Sequence, residues 1–262
     1  MVPTSSLVLM AVNAALGILI PVGLAWWLVR KYQARLSTVL IGAGTFIVFA
    51  MVLEGLMHQL VLKGPHGPAI LGNTLWYALY GGIAAGVFEE TGRFLSMKFL
   101  IRREPSTLIP GLAYGAGHGG AEMLVIFGLT MISNLVVSLM INTGHTDVFS
   151  TLQGDAGAQI QAALDQLRTL APYTLIMGLW ERLSALILHL GLSLIVWTAV
   201  RRGGKYGWLF PAAIVLHAAV DAGAVLLQKS VSMAVLEMII FIAASAVASA
   251  GLFSVTQSDD CR

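Results

Sequence analysis

The sequence predicts an all-α, polytopic membrane protein with seven transmembrane helices. Of its 262 residues, 57% are hydrophobic and only 11% are charged, which is far more apolar than a soluble domain. Apolar runs of about 20 or more residues recur along the chain, the length that an α-helix needs to cross a bilayer. Because unpaired backbone groups are not tolerated in lipid, we expect these runs to be helical.

The seven predicted spans make up a single transmembrane domain over residues 1–262. They cover residues 5–29, 37–62, 70–100, 108–141, 172–200, 207–227 and 232–254. The first run has no basic residues before it, so we expect a retained span rather than a cleaved signal peptide. The fourth is longer than a bilayer requires, so that helix must tilt, kink or protrude.

The distribution of Lys and Arg predicts the orientation of the spans. Basic residues follow spans one, three and five and end the chain: Arg30, Lys31, Arg35, Arg102, Arg103, Arg201, Arg202, Lys205 and Arg262. The opposite side has only Lys63, Arg168 and Lys229. By the positive-inside rule, we expect an outside N-terminus and a cytoplasmic C-terminus. The net charge of +2 comes from these short loops and indicates no nucleic-acid partner.

One connection, the predicted outer loop 142–171, is longer than the others. Ile160, Ala163, Leu164 and Leu167 recur there at helical spacing, so either an interfacial amphipathic helix or a mobile loop fits. The single cysteine, Cys261, excludes an internal disulfide.

Ionisable side chains inside the spans are the strongest indication of function, because such groups are costly in hydrocarbon. They are Glu54, His58, Glu89, Glu90, Arg93, His118, Glu122, Glu181, Arg182, His189, His217, Asp221 and Glu237. Several are four residues apart and share one helix face: Glu54/His58, Glu89/Arg93, His118/Glu122 and His217/Asp221. The Glu54/His58 pair and Glu237 are interpreted as structural.

Four of these groups are expected at one depth. With the predicted orientation, Glu90, His118, His189 and His217 each lie ten or eleven residues from a cytoplasmic helix end, or roughly 15 Å into the bilayer. A carboxylate and three imidazoles at one level favour a site over isolated packing histidines. Glu122, Asp221 and Glu181 lie one or two turns further out.

This set of residues suits hydrolysis in a water-accessible cavity. Glu89 or Glu90 would act as the general base that deprotonates water. His118, His189 and His217 would hold a zinc ion, or, without metal, polarise water and stabilise an oxyanion. Asp221 fits either a partner that fixes the tautomer of His217 or a simple local hydrogen bond, and the same two interpretations apply to Glu122 and His118. Arg93 and Glu181 are supporting residues, although Arg93 also fits a simple counterion.

The motifs resemble the YhfC-type intramembrane metalloproteases, which are related to the CAAX prenyl endopeptidase and PrsW families. The resemblance is carried by E-E-T-G-R at 89–93, G-H-G-G-A-E at 117–122, Glu181-Arg182 with His189, and H-A-A-V-D at 217–221. It implies an intramembrane peptidase that cleaves a membrane-anchored or lipid-modified substrate near the cytoplasmic leaflet. Activation of water or binding of metal would then fall to Glu89, Glu90, His118 and His217. Asp221 stands where the prenyl endopeptidases have Asn.

The chain is also similar to the seven-helix scaffold subunit of γ-secretase, through His189 and His217. A non-catalytic scaffold that binds another membrane protein is therefore the alternative to an enzyme. A proton-coupled transporter is disfavoured, because no matched pair of broken helices is apparent. The family resemblance implies a prokaryotic cytoplasmic membrane.

Overall fold

The computed structural model describes residues 1–149 and 153–256, and within these ranges it is helical and contains no strand. Nine helices follow one another: α1 (Thr4–Lys31), α2 (Leu36–Leu62), α3 (Gly67–Leu71), α4 (Thr74–Phe99), α5 (Leu108–Thr143), α6 (Gly154–Thr169), α7 (Pro172–Arg202), α8 (Leu209–Leu227) and α9 (Met233–Thr256). Short 3₁₀ turns cover Asp147–Phe149 and Gly204–Trp208. Cys261 and Arg262 lie outside the described residues.

Six helices in the described part of the chain are long and apolar enough to cross a membrane: α1, α2, α5, α7, α8 with the preceding turn, and α9. The third predicted span is also helical, as α4, and Asn73 caps its start by accepting hydrogen bonds from the amides of Leu75 and Trp76. It is not apolar enough to be counted with those six helices. Glu89, Glu90 and Arg93 account for most of its charge.

Two long helices contain π-helical segments, which the sequence did not predict. In α2 the segment is Phe46–Glu54, and in α5 it is Met123–Gly128. Such segments shift the phase of a helix and occur preferentially at functional sites. The segment in α5 interrupts the helix that sequence analysis judged longer than a bilayer.

The predicted outer loop contains a helix, α6, which occupies Gly154–Thr169. Asp155 in its first turn and Arg168 in its last turn complement the helix dipole. Of the two alternatives for this loop, the helix is the one that the structure contains.

The chain divides into two compact units, so the single-domain organisation stays a prediction. The first unit comprises residues 1–20 and 123–182. Its apolar core includes Met10 and Leu167. Asn13 in α1 donates a hydrogen bond of 2.8 Å to the carbonyl of Leu175 in α7, which satisfies a buried amide.

The second unit comprises residues 21–122 and 183–262 and holds most of the buried ionisable groups. Its helices approach closely at glycines. A Cβ on Gly86 in α4 would lie 2.6 Å from the carbonyl oxygen of Ile214 in α8, and one on Gly117 in α5 would lie 1.9 Å from that of Val39 in α2. Only glycine permits such backbone contact. These contacts bring the polar faces of the helices together.

Candidate active site

Four helices of the second unit contribute to one buried polar cluster. Glu89 and Glu90 come from α4, His118 from α5, His189 from α7 and His217 from α8, and all five side chains are buried. The ring centres of His118 and His189 are 5.0 Å apart, and those of His189 and His217 are 5.3 Å apart. The groups that sequence analysis expected at one depth therefore adjoin one another.

Glu90 is held on two sides. Arg93, one turn further along α4, donates to both carboxylate oxygens, with Nε at 2.8 Å from Oε2 and Nη2 at 3.1 Å from Oε1. Oε1 also lies 2.9 Å from Nδ1 of His217. Because a carboxylate paired with a guanidinium accepts hydrogen bonds, Nδ1 of His217 is the donor. This leaves Nε2 of His217 as the nitrogen with a lone pair in the neutral ring.

Arg93 also fixes His189. Its Nη2 lies 3.0 Å from Nδ1 of His189, and Nη1 donates to the His189 carbonyl oxygen at 3.3 Å and to the hydroxyl of Ser193. A guanidinium can only donate, so Nδ1 of His189 accepts and its proton lies on Nε2. That Nε2 is 2.5 Å from a carboxylate oxygen of Glu122. Both ring nitrogens of His189 are therefore engaged.

Glu89 faces a different partner from its neighbour. Its Oε2 lies 2.8 Å from Nε2 of His118, and the opposite ring nitrogen, Nδ1 of His118, is buried without a hydrogen-bond partner among the described residues. The His118 ring packs edge-on against Phe46, at the start of the π-helical segment of α2, and beside Tyr114. The His118 ring thus has aromatic neighbours, while Glu89 faces the polar cluster.

Asp221 is one turn beyond His217 on α8. Its Oδ2 is 3.5 Å from Nε2 of His217, so the same ring faces Glu90 on one side and Asp221 on the other. Unlike the other members of the site, Asp221 has a partly exposed side chain.

The donor set fits a metal ion. Glu89, His189 and His217 each offer one ligand atom, and these atoms lie within 4.8 Å of one another. Two imidazoles with one carboxylate are a donor set found in catalytic zinc sites. His189 would first have to release one of its present hydrogen bonds. The sequence-based ligand set contained His118 in place of Glu89, and that set stays a prediction.

The remaining predicted residues lie apart from this cluster or at its edge. Glu181 belongs to the first unit, where it forms an ion pair with Arg182. Glu54 in α2 lies 3.1 Å from Nε2 of His58, as their spacing predicts. Sequence analysis did not single out Ser193, although it follows His189 by one helical turn and accepts a hydrogen bond from Arg93.

The arrangement contains the groups that hydrolysis needs. A buried carboxylate beside an imidazole can accept a proton from water, and imidazole N–H groups can stabilise a developing oxyanion. The guanidinium of Arg93 has its hydrogen bonds directed at Glu90, His189 and Ser193. It therefore fixes the geometry of its neighbours.

Comparison with known proteins agrees with the membrane fold and with the motifs. The family model described as YhfC intramembrane metalloprotease matches residues 16–241. The chain is 39% identical over 232 residues to a Bacillus subtilis (strain 168) protein described as "Uncharacterized membrane protein YhfC", covering 88% of each chain. No solved structure matches significantly. The chain is thus a multi-pass membrane protein, and it belongs to the YhfC intramembrane metalloprotease family.

Proposed function

We propose that this protein is a metal-dependent intramembrane peptidase that hydrolyses peptide bonds of membrane-anchored or lipid-modified substrates. The observation that carries the proposal is the buried cluster of Glu89, Glu90, His118, His189 and His217, which four helices bring together. Ionisable groups at this density in an apolar protein are costly and indicate function. The family assignment supports the same reaction class.

In the proposed mechanism, Glu89 is the general base. Its carboxylate is hydrogen-bonded to one imidazole, His118, whereas Glu90 is already paired with Arg93 and His217. Glu89 would take a proton from the attacking water and later deliver it to the leaving amine. His118 orients the carboxylate of Glu89, and Glu90 orients the ring of His217 by accepting from its Nδ1, with Asp221 beside the opposite nitrogen.

His189 and His217 would hold the metal, for which we propose zinc, and Glu89 lies within 4.8 Å of both ligand atoms as the base beside it. When bound, zinc would supply Lewis-acid polarisation of the scissile carbonyl and of water. Arg93 keeps Glu90 and His189 in place throughout and does not itself react. Without metal, the same imidazoles would serve as hydrogen-bond donors to the oxyanion.

We further propose that α4 is the seventh transmembrane span, with the N-terminus outside and the C-terminus in the cytoplasm. In α4 the charges of Glu90 and Arg93 neutralise each other within the helix. The basic residues Arg30, Lys31, Arg201 and Arg202 at the ends of α1 and α7 support this orientation. The site would then lie nearer the cytoplasmic leaflet, in the membrane of a prokaryotic cell. Enzymatic reporters fused after each helix would check the orientation.

The function is tested with the purified protein in nanodiscs, incubated with bacterial membrane proteins. New peptide termini are identified by mass spectrometry for the wild type, for Glu89→Gln and for Glu237→Gln. Glu237 is another buried carboxylate, on α9, and serves as the matched control. We expect new termini with the wild type and with Glu237→Gln but not with Glu89→Gln. Elemental analysis should find zinc in the wild type and in Glu89→Gln, and less zinc in His217→Ala.

If the zinc-loaded wild type produces no termini beyond those of Glu89→Gln, the peptidase proposal fails. A non-catalytic scaffold is then the better interpretation. One observation favours it: Glu90, Arg93 and His217 satisfy one another without any substrate. The scaffold predicts stable co-purification with another membrane protein and no stoichiometric metal.

A further inference from the structure

A second polar cluster joins α2 to α4, one of the helices that form the site. His58 in α2 has Nε2 at 3.1 Å from a carboxylate oxygen of Glu54 and Nδ1 at 2.8 Å from the hydroxyl of Tyr80 in α4. The Tyr80 hydroxyl in turn lies 3.0 Å from the sulfur of Met57. The π-helical segment of α2 ends at Glu54, immediately before this cluster. Sequence analysis interpreted Glu54 and His58 as a structural pair.

This cluster is continuous with the site along the axis of α4 and α8. The two helices run antiparallel, because Gly82 contacts Ala222 and Gly86 contacts Ile214. Moving from Glu90 toward the start of α4, one passes His217 first, then Asp221, and then Tyr80. Tyr80 is ten residues before Glu90, or roughly 15 Å along the helix.

Glu54 belongs to this second cluster from the side of α2, through its 3.1 Å contact with His58. Its hydrogen-bond partner, His58, lies four residues from the end of α2 at Leu62, roughly 6 Å along the helix. The second cluster therefore places polar side chains between the level of Tyr80 and about one helical turn from that end of α2.

Side chains of these outer groups are more exposed than those of the buried site. The exposed fraction is 0% for Glu90 and 3% for His217, then 10% for Glu54, 32% for His58 and 38% for Asp221. An aspartate exposed to this extent cannot face acyl chains without a large desolvation cost. We therefore place the exposed part of Asp221 in contact with water.

We propose that Glu54, His58, Tyr80 and Asp221 line a water-access path that connects the buried site to the membrane surface at which α2 ends and α4 begins. Hydrolysis inside a bilayer consumes a water molecule for each peptide bond, so the site needs such a supply. The ligand of this path is water, held by carboxylate, imidazole and phenol groups. The inference rests on the proposed hydrolytic function, but its test requires no turnover.

Thiol labelling measures water contact directly. Methanethiosulfonate reagents react with the thiolate, which does not form in hydrocarbon. In a Cys261→Ser background, the variants His58→Cys and Leu60→Cys form a matched pair on α2, and Tyr80→Cys and Leu79→Cys form a second pair on α4. Leu60 is 77% exposed and closer to the helix end than His58. If only the depth of the residue in the membrane and its burial by the protein set the reaction rate, Leu60→Cys would therefore react faster than His58→Cys.

Each variant is reconstituted in nanodiscs and treated with a charged trimethylammonium methanethiosulfonate, which reaches both faces. We expect His58→Cys and Tyr80→Cys to react at least 10-fold faster than Leu60→Cys and Leu79→Cys. Equal or inverted rates in either pair would overturn the path. Because labelling is independent of proteolysis, an inactive protein with this labelling pattern would refute the peptidase and leave the path intact. An active protein with equal rates would do the reverse.

Discussion

Glu89 and Glu90 are adjacent in the chain and both buried, yet they have opposite surroundings. Successive residues of an α-helix point about 100° apart. Glu90 thereby faces Arg93 and His217 and accepts three hydrogen bonds, whereas Glu89 faces His118. The two glutamates therefore have different roles. Glu90 belongs to a neutral group of side chains that are hydrogen-bonded to one another, and Glu89 retains the capacity to bind a ligand or a proton.

The largest expected effect is the loss of activity in Glu89→Gln. Removing a general base costs roughly 10²–10⁴-fold in rate, while Gln preserves the size of the side chain and can still bond to His118. We expect turnover to fall by about 10³-fold, with the unfolding free energy changed by less than about 1 kcal/mol. Peptide cleavage and thermal unfolding in detergent check the two parts. If Glu89→Gln unfolded as readily as Glu90→Gln, the two glutamates would not differ in their structural role.

Glu90→Gln should instead lower stability. The guanidinium of Arg93 would remain buried with one of its charged partners gone, which costs about 3–5 kcal/mol. We expect a large fall in the midpoint of unfolding and in the yield of folded protein. The double variant Glu90→Gln/Arg93→Met removes both charges and should recover part of this loss. No recovery would show that the pair does not act as a unit.

His118→Asn tests the partner of Glu89. Second partners that orient a reactive group typically contribute 10–100-fold, so we expect a rate loss in that range with folding retained. The control is His58→Asn in the second polar cluster, which should lower the rate of cleavage less than His118→Asn does. An unchanged rate in His118→Asn would show that Glu89 needs no orienting imidazole.

The smallest effect concerns the backbone contact that aligns α4 with α8. Gly86→Ala would place a methyl group 2.6 Å from the Ile214 carbonyl oxygen, and overpacking of this kind costs about 1–3 kcal/mol. Gly81→Ala in the same helix meets nothing within 4 Å and should be neutral or stabilising by about 0.5–1 kcal/mol. Unfolding in detergent compares the two. Equal effects of the two substitutions on the unfolding free energy would mean that the close contact between α4 and α8 does not contribute to stability.

Much of the architecture follows from composition. Helix length and apolar runs are sufficient to predict six of the spans, because a bilayer fixes the length of a crossing helix. The π-helical segments were not predicted, since Phe46–Glu54 is an ordinary apolar stretch in sequence. Its phase depends on contacts with neighbouring helices, which no local pattern records.

The membership of the cluster was predictable, but its pairing was not. The spacing of four residues favoured Glu89 with Arg93 and His118 with Glu122. The structure instead pairs Arg93 with Glu90, His118 with Glu89, and His189 with Glu122. Spacing along one helix identifies neighbours on that helix alone. Partners on other helices depend on rotation and close approach, which glycines such as Gly86 and Gly117 permit.

The ion pair between Glu90 and Arg93 has a consequence for how the protein is assembled. Both residues belong to α4 and are separated by one turn, so the helix brings its own counterion with it. On the proposed topology, α4 would enter the bilayer with this neutral pair before α7 and α8 have been synthesised. A helix with only one of the two charges would have to wait for a later helix to neutralise it.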